Sequence, residues 1–251
     1  MRLLMVALGT VMVWGQRVDT LEAGWKLHAT VTVQADLHHV QGIDVEGQMM
    51  WVSSVDRKAR KGYLSMVELP SGRVVKQVEV QEGERIHPGG IMLEGDSIWI
   101  PVAEYDRDGP TTVQRRDKKT LAVLGSFEAP DHIGCIAAGK MGLVGGSWAS
   151  RTLYGWTRDG RELWKRANPI ATEWQDLKMD GELLVGSGVT KEKDGAMDWV
   201  SLPDLKLVRS LRAGKTDRGV PYMNEGMKVG KGRLLLLPED APSRLFEFRV
   251  R

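Results

Sequence analysis

The sequence predicts an all-β fold, a five-bladed β-propeller. Three observations carry that prediction. A segment recurs about every 46 residues, each recurrence holds up to four strand-like stretches, and one strand near the N-terminus has no recurrence of its own. Residues 42–52 align with residues 90–100 and keep Gly, Ile, Glu, Gly, Trp and a β-branched end. Further copies begin at Gly134, Asp176 and Gly226, so the five starts are spaced by 48, 44, 42 and 50 residues. A period in this range, with four antiparallel strands per unit, is the signature of propeller blades.

Each unit repeats one grammar. A first apolar strand ends at a glycine turn such as Glu46-Gly47, and a second strand follows. After a polar loop comes a third strand, at 63–69, 152–156 and 245–248. Turns such as Pro70-Ser71-Gly72 and Arg158-Asp159-Gly160 lead to a fourth, at 74–80, 121–127 and 207–211. The fifth unit stops before its fourth strand. Residues 25–33 alternate like a strand and are expected to supply it, closing the ring and removing an open edge. Nine Trp against three Phe is an unusual ratio. Trp51 and Trp99 hold equivalent second-strand positions, which suits wide rings packed between blades.

Before the first unit, Arg2 precedes an apolar run over residues 3–14, and Val13 and Gly15 suit cleavage before Gln16. Residues 1–15 are therefore expected to be a signal peptide and 16–251 a single propeller domain, periplasmic or extracellular. The run is too short to span a bilayer stably, and no later segment is long enough to do so. Charge is nearly balanced, with 35 basic and 33 acidic side chains. That excludes an electrostatic case for nucleic acid or an anionic membrane as partner. Cys135 is the sole cysteine, so neither an internal disulfide nor a cysteine-based zinc site can form.

In a propeller the first strand of each blade lines the channel. The loop leading into it opens on the same face as the loop between strands two and three. Here that face collects the reactive side chains, while the opposite face has tight turns, which points to one ligand face. The leading loops supply His39, His87, His132, Asp176 and Glu225 as catalytic candidates. Substrate-binding candidates from both loop sets are Gln41, Asp56, Arg57, Glu104, Tyr105, Trp148, Arg151, Trp174, Asn224 and Glu239. Imidazoles suit a divalent transition metal, so His39, His87 and His132 are also candidate metal ligands. Metal-free acid–base catalysis is the other option, with an acid–histidine pair and an arginine for a substrate carboxylate. The recurrence of Asp56-Arg57 as Asp106-Arg107, and of Ser150-Arg151 as Ser243-Arg244, favours arginines that bridge blades.

The runs His38-His39-Val40-Gln41-Gly42-Ile43-Asp44, His87-Pro88-Gly89-Gly90-Ile91, Asp131-His132-Ile133-Gly134-Cys135 and Leu237-Pro238-Glu239-Asp240 resemble a bacterial exported family catalogued as a domain of unknown function. That resemblance implies a propeller and brings no activity. Val40-Gln41-Gly42-Ile43 is distantly similar to the opening blade motif of plant-type glutaminyl cyclotransferases. Those enzymes carry Phe-Gly-Glu-Gly in the second blade, where this chain has His87-Pro88-Gly89-Gly90. The expectation is an exported, monomeric propeller that takes a small molecule at its channel mouth as a hydrolase or transferase. The alternative is a mouth that binds a ligand or protein without turnover.

Overall fold

The structure, a computed structural model, describes residues 17–202 and 204–250. The expected signal peptide lies outside them. The described chain opens with a short strand, β1 (Arg17–Thr20), a single helical turn, α1 (Leu21–Gly24), and β2 (Trp25–Thr32). Blade one follows as β3 (His39–Glu46), β4 (Met49–Asp56), β5 (Lys61–Glu68) and β6 (Arg73–Glu79). Blade two is β7 (Arg85–Pro88), β8 (Met92–Glu94), β9 (Ser97–Glu104), β10 (Thr111–Asp117) and β11 (Val123–Ala129). Blade three holds β12 (Ile133–Gly139), β13 (Gly142–Ser147), β14 (Thr152–Trp156) and β15 (Glu162–Ala167). Blade four holds β16 (Glu173–Asp180), β17 (Leu183–Val189), β18 (Gly195–Ser201) and β19 (Leu207–Ala213). Blade five is β20 (Gly226–Gly230), β21 (Arg233–Leu237) and β22 (Arg244–Val250), with β2 as its outer strand.

The ring closes as the sequence predicts. β2 pairs antiparallel with β22, from Trp25 opposite Val250 to Thr32 opposite Arg244. One addition was not foreseen: β1 runs parallel to β19 and adds a fifth strand to blade four. The N-terminal segment therefore ties blade four to blade five. Among the described residues no helix is long and apolar enough to cross a membrane.

The apolar core is divided among the blade junctions. Among the described residues five clusters of buried side chains are found, one per junction. Trp51 joins Ile98 and Ile100 between blades one and two, and Trp99 joins Ile136 and Trp156 between two and three. Both tryptophans are nearly inaccessible, and Trp51 Nε1 donates across the junction to the Lys118 carbonyl at 2.8 Å. Their ring area and polar edge are both satisfied by structure.

Two local expectations needed revision. The inner strand of blade two is broken between β7 and β8, where Pro88 has no N–H to give. Gly90 there turns to blade three instead, donating to the Gly134 carbonyl at 2.8 Å and accepting from Ile136 N at 3.2 Å. A Cβ on Gly90 would lie 2.6 Å from Asp176 Oδ1, so only glycine fits. In the same blade, Leu121 is in a left-handed turn (φ 62°) with its side chain buried, and β11 starts two residues later. The Asp117 carboxylate caps that turn by accepting from Lys119 N and Thr120 N.

The throat of the channel is filled. Four of the five repeat starts are glycines, and Asp176 takes the fifth place. It is the one of those five residues whose side chain enters the space that the glycines leave. Asp176 Oδ2 accepts from Ile43 N (3.3 Å) and Met227 N (3.0 Å). Oδ1 accepts from Leu177 N (2.9 Å) and Lys178 Nζ (2.6 Å). Lys178 Nζ also donates to the Ile91 and Leu177 carbonyls. Beside this pair, Asp44 bonds Lys228 Nζ at 2.6 Å and Leu93 N at 2.8 Å. The axis is thus stapled by carboxylates that reach across blades.

Candidate functional site

Above the throat the inner strands begin with bulges. In β3, Val40 and Gly42 oppose consecutive residues of β4, which leaves Gln41 as the extra residue. Gln175 in β16 and Gly134 in β12 stand in the same relation to their neighbours. A bulge re-aims the side chain it carries and often marks a site. Here Gln41 and Gln175 line a pocket of about 160 Å³ at the channel mouth. Its other walls are His39, Arg57, His87, Tyr105, His132, Gly134, Trp148, Ala149, Trp174 and Glu225.

One wall is a pair of bonded histidines. His132 Nδ1 lies 2.8 Å from the Asp106 carbonyl oxygen, which can only accept, so this nitrogen carries the proton. His132 Nε2 then offers a lone pair to His87 Nδ1–H at 3.2 Å. That assignment leaves His87 Nε2 as the basic end of the relay. Burial holds the pKa of His87 well below 6.5, with His132, His39 and the Arg57 charge adding to the effect. Burial lowers His132 as well. Both rings are therefore neutral near pH 7. The Tyr105 ring centre stands 4.6 Å from that of His87 in a tilted contact, and Trp148 meets His132 edge-on at 4.6 Å between centres.

The opposite wall is acidic. Glu225 is 6% exposed, and its Oε2 has no hydrogen-bond partner. Burial raises its pKa well above 4.5, and the carboxylates of Glu239 and Asp176 push the same way. Glu239 bonds His39 Nδ1 at 2.6 Å, and this bond lowers its pKa. The Arg57 guanidinium lies exposed at the rim, 5.4 Å from the centre of the Tyr105 ring.

The rim over blade three is strained. Ala149 and Ser150 both have left-handed backbone, with φ of 54° and 52°. Such strain persists only where surroundings enforce it. Ser150 Oγ donates to the Trp174 carbonyl at 2.9 Å, and Asn168 Nδ2 donates to the Ser150 carbonyl at 2.9 Å. Arg151 clamps the same turn by donating to the carbonyls of Ala149, Ile170 and Thr172.

The structure brings together His39, His87, His132 and Glu225 of the catalytic candidates, and Gln41, Arg57, Tyr105, Trp148 and Trp174 of the binding candidates. Glu239 reaches the pocket edge through His39. Asp176 lies below, with its acceptor sites taken and its pKa raised to about 6 by burial. Arg151 is spent on the Ala149 turn. Asp56 caps its own turn, accepting from Lys58 N and Ala59 N. Glu104 and Asn224 are outside the pocket lining, each tied to its own loop through its backbone N–H. The three candidate metal histidines are not grouped as one ligand set: His87 and His132 bond each other at 3.2 Å, while His39 bonds Glu239. Among the described residues the set with metal-ligand spacing is His39, Glu225 and Glu239.

Sequence reasoning missed Gln175, Gly134 and Ala149. Gln175 had a signal: it stands one residue before a repeat start, as Gln41 and Glu225 do. Ala149 had none, since its place depends on a turn enforced by Ser150, Arg151 and Asn168. Cys135, buried with its thiol pushed up to about 12, takes no part.

Comparison with known proteins agrees with this architecture and leaves the chemistry open. Residues 16–175 match a family of unknown function, DUF6454. The chain belongs to that family. No curated protein matches it in sequence. Among solved structures it is similar to the WD40 domain of Neurospora crassa Pan2, with a TM-score of 0.53 and 8% identity. That likeness covers 94% of this chain and 97% of the other, and it concerns the fold alone.

Proposed function

We propose that the mouth pocket is an acid–base site of a hydrolase or transferase acting on a small polar substrate. The observation that carries this reading is the pairing, in one pocket, of a neutral histidine relay with a buried carboxyl whose oxygen lacks a partner. His87 Nε2 is the proton acceptor, and His132 with the Asp106 carbonyl fixes its tautomer. Gln41 and Gln175 offer amides that both donate and accept, and Arg57 offers a cation at the rim. The volume is close to the ~150 Å³ that holds a benzene ring, so the substrate or its reacting part is small. Three aromatic walls suit a flat or apolar portion beside the polar group.

The charged start and apolar run before Gln16 support export, with a monomer acting outside the cytoplasm. The similarity at Val40-Gln41-Gly42-Ile43 places N-terminal glutaminyl peptides among the compounds worth testing.

Amino acids, hydroxy acids, lactones and short glutaminyl peptides should be screened by thermal shift, and the hits followed by mass spectrometry for turnover. The expected result is a hit that is converted by the wild type, with conversion lost in His87→Asn. A hit that binds and stays unconverted would replace this reading with the non-catalytic one. That second reading has one observation in its favour, the strained Ala149–Ser150 rim, since such strain also occurs at ligand clamps.

A further inference from the structure

We propose that His39, Glu225 and Glu239 bind one divalent transition-metal ion. The site does not depend on His87 acting as a base, although both would share the pocket. One ligand atom from each of the three residues lies within 4.8 Å of the other two. Tetrahedral zinc bonds of about 2.0–2.2 Å put ligand atoms roughly 3.5 Å apart, so small side-chain rotations close the set. The residues arrive from separate places, His39 at the start of β3, Glu225 just before β20 and Glu239 just after β21. Both carboxylates thus come from blade five and the imidazole from blade one, across the seam that β2 closes.

The second observation is Glu225 itself. Its side chain is more than nine-tenths buried, and Oε2 meets no donor. Buried carboxyl oxygens are ordinarily hydrogen-bonded, and the exceptions call for an explanation. Asp176, one residue further along the equivalent inner strand, shows what a purely structural carboxyl looks like here. Its two oxygens accept four hydrogen bonds. A cation between Glu225 and Glu239 supplies the missing partner and removes the repulsion between them.

One imidazole and two carboxylates suit Zn²⁺, Mn²⁺ or Fe²⁺, and the absence of a thiolate disfavours softer ions. Three protein ligands leave a position open, as catalytic rather than structural sites do. That position opens into a pocket whose rim carries Arg57, so the class of ligand expected there is a small molecule with an anionic oxygen.

The test uses the full chain stripped with a chelator and titrated with ZnCl₂ and MnCl₂ by calorimetry. Binding of one ion per chain is expected for at least one of them. Glu239→Gln and Glu225→Gln should each weaken it by at least ~100-fold, the upper end of what losing a supporting contact costs a metal site. His87→Asn should bind the ion as the wild type does. Glu239 is half-exposed, so its variant is expected to fold even if His39→Ala is not. Absence of saturable binding by both ions, or binding that survives both glutamate substitutions, overturns the site. Metal binding without any turnover would leave this inference intact and remove only the acid–base reading.

Discussion

Asp176 and Glu225 are both buried carboxyls on the inner face of the ring. In the throat, Asp176 has four donors, one of them the Lys178 ammonium. At the mouth, Glu225 keeps an oxygen with none. A buried ion pair is costly to desolvate and persists when its hydrogen bonds are complete, which the throat achieves by drawing on blades one, two, four and five. An incomplete carboxyl serves no structural end and is tolerated where a ligand completes it. The same inner strands therefore carry scaffold below and the candidate site above, and the bulges at Gln41, Gly134 and Gln175 lie between them.

The largest effect should come from breaking the throat. Asp176→Ala leaves the Lys178 ammonium buried without its carboxylate and is expected to cost about 3–5 kcal/mol, read by urea unfolding. A loss near zero would mean that the pair is not a staple, and the contrast would fail. Next is catalysis. For any substrate found, His87→Asn should lower kcat by roughly 10²–10⁴-fold, with a smaller loss of stability than Asp176→Ala. Retained turnover would take the relay out of the mechanism.

A third effect separates the regions by pH. His87 and His132 have folded pKa values below 6.5, so the unfolded chain binds more protons than the native one as pH falls below that value. Stability from the neutral relay is complete above 6.5 and lost as pH drops towards the folded values. The difference in urea midpoint between wild type and His87→Asn should be constant above pH 6.5 and shift against the wild type below it, because the raised carboxyls Glu225 and Asp176 contribute to both proteins. Equal slopes in both proteins would show that the relay histidines are not the groups titrating.

The smallest effect is a gain. In metal-free protein, Glu225→Gln removes an unsatisfied buried carboxyl while keeping its shape, and should raise stability by about 1 kcal/mol, or ~2–4 °C in Tm. A clear loss would show that the carboxyl has a structural partner after all.

Much of this contrast was legible before the fold. Repeat starts at Gly42, Gly90, Gly134 and Gly226 exposed the ring, and the one departure, Asp176, was visible as an acid among glycines. Its role was not, because a residue in a leading loop reads as reactive until the convergence of five strands shows that the space is already filled. His39, His87, His132 and Glu225 line one pocket, as their places in loops on one rim suggest, whereas Glu104 and Asn224 from the same loops do not. The place of Arg151 was not legible, because its carbonyl partners at Ala149, Ile170 and Thr172 are backbone atoms, which a sequence does not display. The broken inner strand of blade two was foreshadowed by Pro88-Gly89-Gly90, whose turn towards Gly134 needs the neighbouring blade to be seen.

The most direct test compares the two carboxyls with one ligand. The screening compound giving the largest thermal shift should be measured against wild type, Glu225→Gln and Asp176→Asn. The account predicts that the shift disappears in Glu225→Gln and survives in Asp176→Asn, whose unfolding temperature is lower throughout. A shift that survives in Glu225→Gln and is lost in Asp176→Asn would place the site in the throat and contradict it.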